Sequence, residues 1–167
     1  MEIVMNSITN GSDIKSFLKK VTFPYEKQEG VIEYHDIHSE RYAVTLNVLN
    51  KLDMPVAANV LELAAAPYGM TACLANKFSD LTLANYAERN SVDFVNLDVD
   101  GNTRRLKEHR FNVEQDAWPL QERSFDLVLA CEIVEHLAMD PMAIFAGANR
   151  ILKDGGYFLV STPNAAS

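Results

Sequence analysis

The stretch best suited to chemistry is an apolar segment that carries one acid and ends in very small residues, at positions 60–69. Its first half predicts a buried strand around Glu62, and the alanines that follow predict a tight turn before a helix over about 70–78. α/β sheets bind small cofactors at such turns, at the carboxyl ends of parallel strands. Small side chains let a ligand approach the backbone, and the helix start offers unpaired N–H groups. The same alanines could also build a plain strand-to-helix turn, so this stretch alone leaves both interpretations open.

A second polar residue lies where dinucleotide-binding folds place a ribose-binding acid. The apolar run 81–86 predicts a second strand, and Asn85 follows the small-residue turn by about 20 residues, the usual offset of that acid. The Asn85 amide could hydrogen-bond a ribose hydroxyl, and a residue that merely ends the strand is an equal alternative. The absence of an acid counts against a nicotinamide-dependent oxidoreductase, which shares the general architecture.

Composition limits the classes of protein and partner. A chain of 167 residues with 48% hydrophobic content predicts one domain with a sizeable core. The net charge of -8 and the pI near 4.9 make nucleic acid a poor partner and favour a small-molecule substrate. Two cysteines in apolar surroundings suit a reducing, cytoplasmic location. No apolar run approaches the roughly 18 residues of a membrane span, and no signal-peptide pattern is visible.

Strand and helix patterns alternate along most of the chain. Helices are predicted over about 14–21, 39–52, 70–78 and 141–152, and strands over about 60–63, 81–86, 124–130 and 157–161. Residues 25–36 are predicted to form a surface connection, and Asp100-Gly101 between extended runs predicts a hairpin before the third strand. Continuously apolar strands joined by helices predict an α/β fold with a doubly wound, mainly parallel, Rossmann-like sheet.

Four segments, in this order, resemble the class I S-adenosylmethionine-dependent methyltransferases: 60–69, 124–128 (Ser-Phe-Asp-Leu-Val), 132–137 (Glu-Ile-Val-Glu-His-Leu) and 150–156 (Arg-Ile-Leu-Lys-Asp-Gly-Gly). Residues 111–114 and 161–164 further resemble a type 11 or type 23-like subgroup associated with polysaccharide and small-molecule methylation. The resemblance covers about residues 58–164. It implies S-adenosylmethionine as cofactor, S-adenosylhomocysteine as product, and methyl transfer to an oxygen or nitrogen of a sugar or other small molecule.

The resemblance also assigns residues to the cofactor. The methionine part would lie on a turn made of Leu63, Ala64, Ala65, Ala66 and Pro67. Glu62 would bind its amino group, which is chemically apt because the ammonium and sulfonium are both cationic. Asn85 would face the ribose, and Asn112 and Glu114 would lie by the adenine. Cys131 and Glu132 would form the floor near the sulfonium methyl.

The resemblance leaves two interpretations for the segment after the fourth strand. Proximity and alignment supply much of the acceleration of methyl transfer, and a general base is needed only where an acceptor hydroxyl must lose its proton. The candidate bases are His136 and Glu132. On a helix, Glu132, Glu135 and His136 would project from one face, and some methyltransferases with a similar segment bind a divalent metal there. We favour the alternative, in which Glu135 and His136 cap and pack the helix.

The resemblance finally predicts how the chain is divided and how it ends. Residues 1–54 are expected to form a helical segment that packs on a methyltransferase core of residues 55–167. The family usually continues with two more strands, so we expect a sheet truncated after the fifth strand, with an open edge that favours a homodimer. The alternative function is a non-catalytic, methyltransferase-like binding or assembly module. Ala64 and Ala66, which stand where the family usually has glycines, also suggest this alternative.

Overall fold

The described part of the chain forms a seven-stranded mixed sheet. A computed structural model describes residues 10–114 and 117–164. The elements in chain order are α1 (Gly11–Leu18), β1 (Val21–Thr22), α2 (Gln28–Asn50), β2 (Asn59–Leu63), α3 (Gly69–Lys77), β3 (Asp80–Asn85), β4 (Ser91–Val99), β5 (Asn102–Arg110), β6 (Phe125–Cys131), α4 (Met142–Ile151) and β7 (Leu152–Ser161), with one 3-10 turn at Val134–His136. The strand order is β1-β4-β5-β3-β2-β6-β7.

The central strands are parallel and are buried on both faces. β2 pairs in parallel with β3 and β6, and the further pairs β3·β5 and β6·β7 are parallel too. Side chains such as Leu127 and Leu129 pack in one core with α1, α2 and α3, whereas Val128 and Ala130 pack in a second core with α4. Burial on both faces explains why these strands are continuously apolar. The predicted doubly wound, mainly parallel α/β sheet is confirmed.

The expected truncation after the fifth strand is not confirmed, because the sheet has seven strands. β1 and β4 extend it beyond β5, each in antiparallel pairing. The β4–β5 hairpin is the one predicted from Asp100-Gly101, whose φ angles of 56° and 83° are those of a type I′ turn. The third strand of the prediction is β5, the second arm of this hairpin. Within the described residues, β7 lies at the opposite edge and pairs with β6 alone.

The prediction of a surface connection at residues 25–36 is wrong, because α2 already begins at Gln28. The helix start predicted at residue 39 lies inside α2, where the Ser39 hydroxyl donates to the Asp36 carbonyl at 2.9 Å. His35 is 0% exposed on the buried face of α2, at a position where the helical period predicts an apolar residue. None of the helices in the described part of the chain is long and apolar enough to cross a bilayer.

The strand predicted over residues 157–161 begins earlier, at residue 152. α4 ends at Ile151, and β7 begins at the next residue. Gly155 has a left-handed φ of 82° and lies within β7, near a register shift of the pairing with β6. The left-handed backbone of Gly155 therefore allows the irregular pairing of β7 with β6.

Candidate functional site

Two adjoining cavities lie at the carboxyl ends of the parallel strands. The first, of about 280 Å³, is bounded by α2, by β2 with the loop that follows it, and by the end of β6. The second, of about 320 Å³, is bounded by the end of β3, the loop after β5 and the segment after β6. Ala64, Glu132 and His136 line both cavities. We call the first the polar cavity and the second the apolar cavity.

Most of the predicted site residues meet in the polar cavity. Those that line it are Glu62, Leu63, Ala64, Ala65, Ala66, Pro67, Cys131, Glu132 and His136. The loop after β2 is held to β3, because the Ala65 N–H donates to the Ala84 carbonyl at 3.3 Å and the Ala66 N–H donates to Asn85 Oδ1 at 3.0 Å. The predicted turn is therefore a fixed wall of a cavity.

The first alanine of this loop has a backbone conformation that favours glycine, with φ 53° at Ala64. A left-handed residue with a Cβ costs roughly 1 kcal/mol relative to glycine. We expect Ala64→Gly to raise the free energy of unfolding by up to about 1 kcal/mol. The greater conformational entropy of glycine in the unfolded chain offsets part of this gain. Chemical denaturation measures the change. Ala72→Gly inside α3 is the control and should lower stability instead, and a similar loss for Ala64→Gly would contradict the strained loop.

Glu62 is the only acid of the first predicted stretch, and it is almost fully buried in the wall of the polar cavity. The Thr71 hydroxyl donates to Glu62 Oε2 at 2.6 Å. Burial raises the pKa of Glu62 to about 8, and the bond from Thr71 opposes this only in part. The side chain is therefore mostly neutral at pH 7 and would ionise when a cation enters the cavity.

Cys131 also lines the polar cavity, at the end of β6. Burial, and next the charge of Glu62, raise the pKa of the Cys131 thiol to about 11. The thiolate is the nucleophilic form of cysteine, so Cys131 serves as a wall of the cavity rather than as a reactive group.

Six residues that line the polar cavity were not predicted from the sequence: Tyr34, Arg41, Tyr42 and Thr45 on α2, and Gly69 and Met70 on α3. Arg41 Nη1 donates to Glu132 Oε2 at 3.0 Å, and the Ser161 hydroxyl donates to Glu132 Oε1 at 2.8 Å. With both oxygens engaged, Glu132 is a poorer candidate base than His136. His35 and Tyr42 lie seven residues apart, so they share one face of a helix. This spacing was the signal in the sequence for the face of α2 that lies against the core.

The segment that was expected to present a metal site does not form an α-helix. Glu132 directly follows β6 with φ 55°, and Val134–His136 make a 3-10 turn. Glu135 accepts a long bond from the Thr162 hydroxyl at 3.3 Å, and one ring nitrogen of His136 lies 3.9 Å from Glu135. Across residues 10–114 and 117–164, no three histidine, cysteine or acidic side chains come together as a metal site. The helical face assumed for Glu132, Glu135 and His136 is wrong.

The apolar cavity receives two of the residues predicted to bind adenosine, Asn85 and Glu114. Its other walls are mainly apolar, and Tyr86, which the sequence analysis missed, is 70% exposed at the end of β3. Asn112 is not among the lining residues, because its Oδ1 accepts the Glu114 N–H at 2.9 Å in a local turn. Glu114 Oε1 accepts the Met139 N–H at 2.6 Å, so Glu114 joins the two loops around the cavity.

One buried acid beside the site was overlooked in the sequence. Glu108 is 0% exposed on β5 and accepts hydrogen bonds from Asn85 Nδ2 at 2.6 Å and the Tyr68 hydroxyl at 2.8 Å. Arg110 Nε donates to its other oxygen at 2.6 Å. Glu108 lies two residues after the buried Leu106 in a strand rich in basic residues, and strand alternation is the signal that predicts its burial.

Solved structures of other proteins share this backbone arrangement. YcgJ of Bacillus subtilis has a TM-score of 0.54 at 13% identity, over 68% of this chain and 47% of that one. A candidate S-adenosylmethionine-dependent methyltransferase of Methanococcus maripaludis has 0.53 at 16%, over 84% and 67%. An S-adenosylmethionine-dependent methyltransferase of Mesorhizobium loti has 0.50 at 17%, over 72% and 54%. The chain spans about half the length of the first and third of these proteins and two thirds of the second.

Sequence comparison gives the family. No curated protein sequence matches the chain. A family model described as a methyltransferase domain matches residues 70–160, which is more than half of the chain. The matched part runs from α3 to β7 and includes residues of both cavities. The chain therefore belongs to this methyltransferase domain family and has the class I methyltransferase fold.

Proposed function

We propose that this domain is an S-adenosylmethionine-dependent methyltransferase that acts on an oxygen or nitrogen of a sugar or other small molecule. The observation that carries the proposal is the pair of cavities, one with a buried carboxyl group and one mainly apolar, joined at Ala64, Glu132 and His136. The cofactor has the same two halves, a charged methionine part and a flat adenosine part. Its sulfonium lies between them, which corresponds to the junction of the cavities.

The residues present fit the two halves of the cofactor. In the polar cavity, Glu62 is the acceptor for the ammonium group, and the loop from Leu63 to Pro67 follows the methionine chain. In the apolar cavity, side chains such as Phe111 and Leu137 bury the adenine, with Glu114 at its polar edge. We assign Asn112 to support of Glu114 rather than to direct contact, because of the bond between them.

The junction also holds the group best placed to move a proton. When bound, S-adenosylmethionine supplies an electrophilic methyl group. His136 borders both cavities and its side chain is largely exposed, so an acceptor hydroxyl can reach its ring and give up a proton. Glu132 holds α2 and β7 together through Arg41 and Ser161 and adds negative charge near the sulfonium. We therefore propose His136 as the base and Glu132 as a supporting carboxylate.

Titration calorimetry with S-adenosylhomocysteine tests the cofactor assignment. We expect one saturable site, and we expect adenosine alone to compete because it fills the apolar cavity. NADH is the matched control ligand, since a nicotinamide enzyme of this architecture would bind it. The absence of binding at millimolar S-adenosylhomocysteine would contradict the proposal. It would favour a non-catalytic binding or assembly module, which the strained Ala64 in place of a glycine supports.

Three broader assignments complete the proposal. The proposed division places a helical segment at residues 1–54 on a methyltransferase core at residues 55–167, and residues 1–9, 115–116 and 165–167 of these ranges lie outside the described residues. The position of α2 supports the division, because its residues pack in the same core as β2 and α3. The two free cysteines suit a cytoplasmic location.

The edge position of β7 supports a homodimer through that strand. Sedimentation at several protein concentrations tests the homodimer, and a monomer at every concentration would contradict it.

A further inference from the structure

A buried carboxylate joins three elements beside the proposed cofactor site. Glu108 on β5 accepts hydrogen bonds from Asn85 at the end of β3 and from Tyr68 at the start of α3, both at Oε1. Arg110 donates to Oε2, so each oxygen has a partner. The Glu108 side chain is fully buried, and it is not among the residues that line either cavity. Glu108 can therefore act on a ligand only through its neighbours.

The chemistry of a carboxylate determines how Asn85 is oriented. An ionised carboxylate only accepts hydrogen bonds, whereas an amide has one accepting end and one donating end. Glu108 therefore requires the Asn85 nitrogen to point toward it, at 2.6 Å. The Asn85 oxygen is left to face the loop, where it accepts the Ala66 N–H at 3.0 Å.

The same carboxylate holds the other end of this loop. Tyr68 ends the loop with φ 72°, a conformation that costs energy for a residue with a side chain, and its hydroxyl donates to Glu108 at 2.8 Å. Burial, and next the bond to Glu108, raise the pKa of Tyr68, so the hydroxyl keeps the proton that it donates. Residues 66 and 68 are thus both held from one point.

We infer that Glu108 is a positioning residue, which orients the Asn85 amide and, through Asn85 and Tyr68, fixes the loop of residues 64–68 for the cofactor. The inference rests on the proposed function, because it assigns that loop to S-adenosylmethionine. It gives Asn85 a different role from the expected ribose contact, since both ends of its amide are engaged within the protein. It also predicts that an acid is unfavourable at position 85 in this chain, although related folds place one there.

Exchanging the amide and the carboxylate tests the inference. Asn85→Asp would set a second acceptor against Glu108, and we expect S-adenosylhomocysteine to bind roughly ten- to hundredfold more weakly, as is typical for members of one network. Adding Glu108→Gln should return the affinity to within a few-fold of the parent, because the glutamine amide can donate to the new aspartate. Equal or tighter binding by Asn85→Asp, or no recovery in the double variant, would overturn the inference.

Stability against pH gives a second readout that needs no ligand. In Asn85→Asp, two adjacent carboxylates would share a proton in the folded state, so one pKa would be raised above its unfolded value. The unfolded chain releases that proton at lower pH. The unfolding free energy of the variant, relative to the parent, should therefore fall as the pH rises from 5 to 8. The double variant should not show this slope. Arg110, Tyr68 and Tyr25 also face Glu108, but they are the same in all the variants. If the parent binds no S-adenosylhomocysteine, the proposed function is wrong. The pH dependence of the unfolding free energy, compared between the single and double variants, still tests whether Glu108 orients Asn85.

Asn59→Asp is the matched control. Asn59 is also a partly buried amide, and its nitrogen donates to the Ser124 carbonyl at 3.0 Å, but it lies at the opposite end of β2. The substitution should lower the unfolding free energy and leave the affinity of the folded protein for S-adenosylhomocysteine unchanged. An equal loss of affinity in Asn59→Asp would show that general destabilisation explains the Asn85 result, and the inference would be wrong.

Discussion

Replacing Glu62 with glutamine should weaken S-adenosylhomocysteine binding roughly 10- to 150-fold and, at the same time, make the free domain more stable at pH 8. The loss of affinity is the usual cost of about 1.5–3 kcal/mol for removing a hydrogen bond to a charged group. The gain in stability has another cause. Burial raises the pKa of Glu62 to about 8, so the folded chain holds a proton that the unfolded chain releases near pH 4.5. The stability of the parent therefore falls between these two pH values, and glutamine removes that loss.

Two measurements check this prediction. Calorimetry at pH 7 in buffers of different ionisation enthalpy should show that the parent releases a proton on binding, because the cofactor ammonium ionises Glu62, and that Glu62→Gln releases less. Denaturation from pH 5 to 8 should show a stability difference that grows with pH. Glu33→Gln, at an exposed position of α2, is the control for both measurements. Unchanged affinity in Glu62→Gln would mean that the ammonium lies elsewhere.

Gly69→Ala should lower the free energy of unfolding by about 1–3 kcal/mol, the usual cost of overpacking a well-packed site. Gly69 is the first residue of α3, and a Cβ there would overlap the ring of His35 on α2. The ring cannot easily move, because its nitrogens bond to the Tyr42 hydroxyl at 3.0 Å and the Pro67 carbonyl at 3.2 Å. A shift of α2 would displace Tyr42 and Arg41 from the polar cavity, so the affinity for S-adenosylhomocysteine should fall too.

A double-mutant comparison isolates this contact. Adding Gly69→Ala to His35→Ala should cost much less than it costs in the parent, since the ring is then absent. Gly30→Ala is the matched control, because a Cβ on Gly30 in α2 would meet nothing within 4 Å. That change should raise stability by about 0.5–1 kcal/mol, the usual gain for alanine over glycine in a helix. An equal cost of Gly69→Ala with and without His35 would contradict the proposed overlap.

The fold was predictable because its central strands are buried on both faces. Leu127, Val128 and Leu129 are all apolar, since successive side chains enter two different cores. The loop after β2 was predictable for a similar reason, because small residues after a buried strand are visible in the sequence. The start of α2 was not, because His35 interrupts the apolar period and is satisfied by Tyr42 and Pro67.

The parts of the site that could not be predicted depend on contacts between distant parts of the chain. Arg41 reaches the site by pairing with Glu132, and Glu108 matters only because β5 lies beside β3. Asn112 does not line the apolar cavity, and a local turn, invisible as such in the sequence, uses its side-chain oxygen. The helical face assumed for Glu132, Glu135 and His136 was wrong because Glu132 takes a left-handed backbone after β6, and no α-helix starts there.

The ion pair between α2 and the end of β6 has a consequence for biosynthesis. Arg41 and Glu132 are separated by 91 residues, so α2 is made well before the strand end that it contacts. At translation rates of about 5–20 residues per second, the interval is roughly 5–18 seconds. During that time Leu46 and Leu49, which end in the core, have no β6 to pack on. A nascent chain paused before residue 132 should therefore expose this face of α2 to chaperones, and one paused well after it should not.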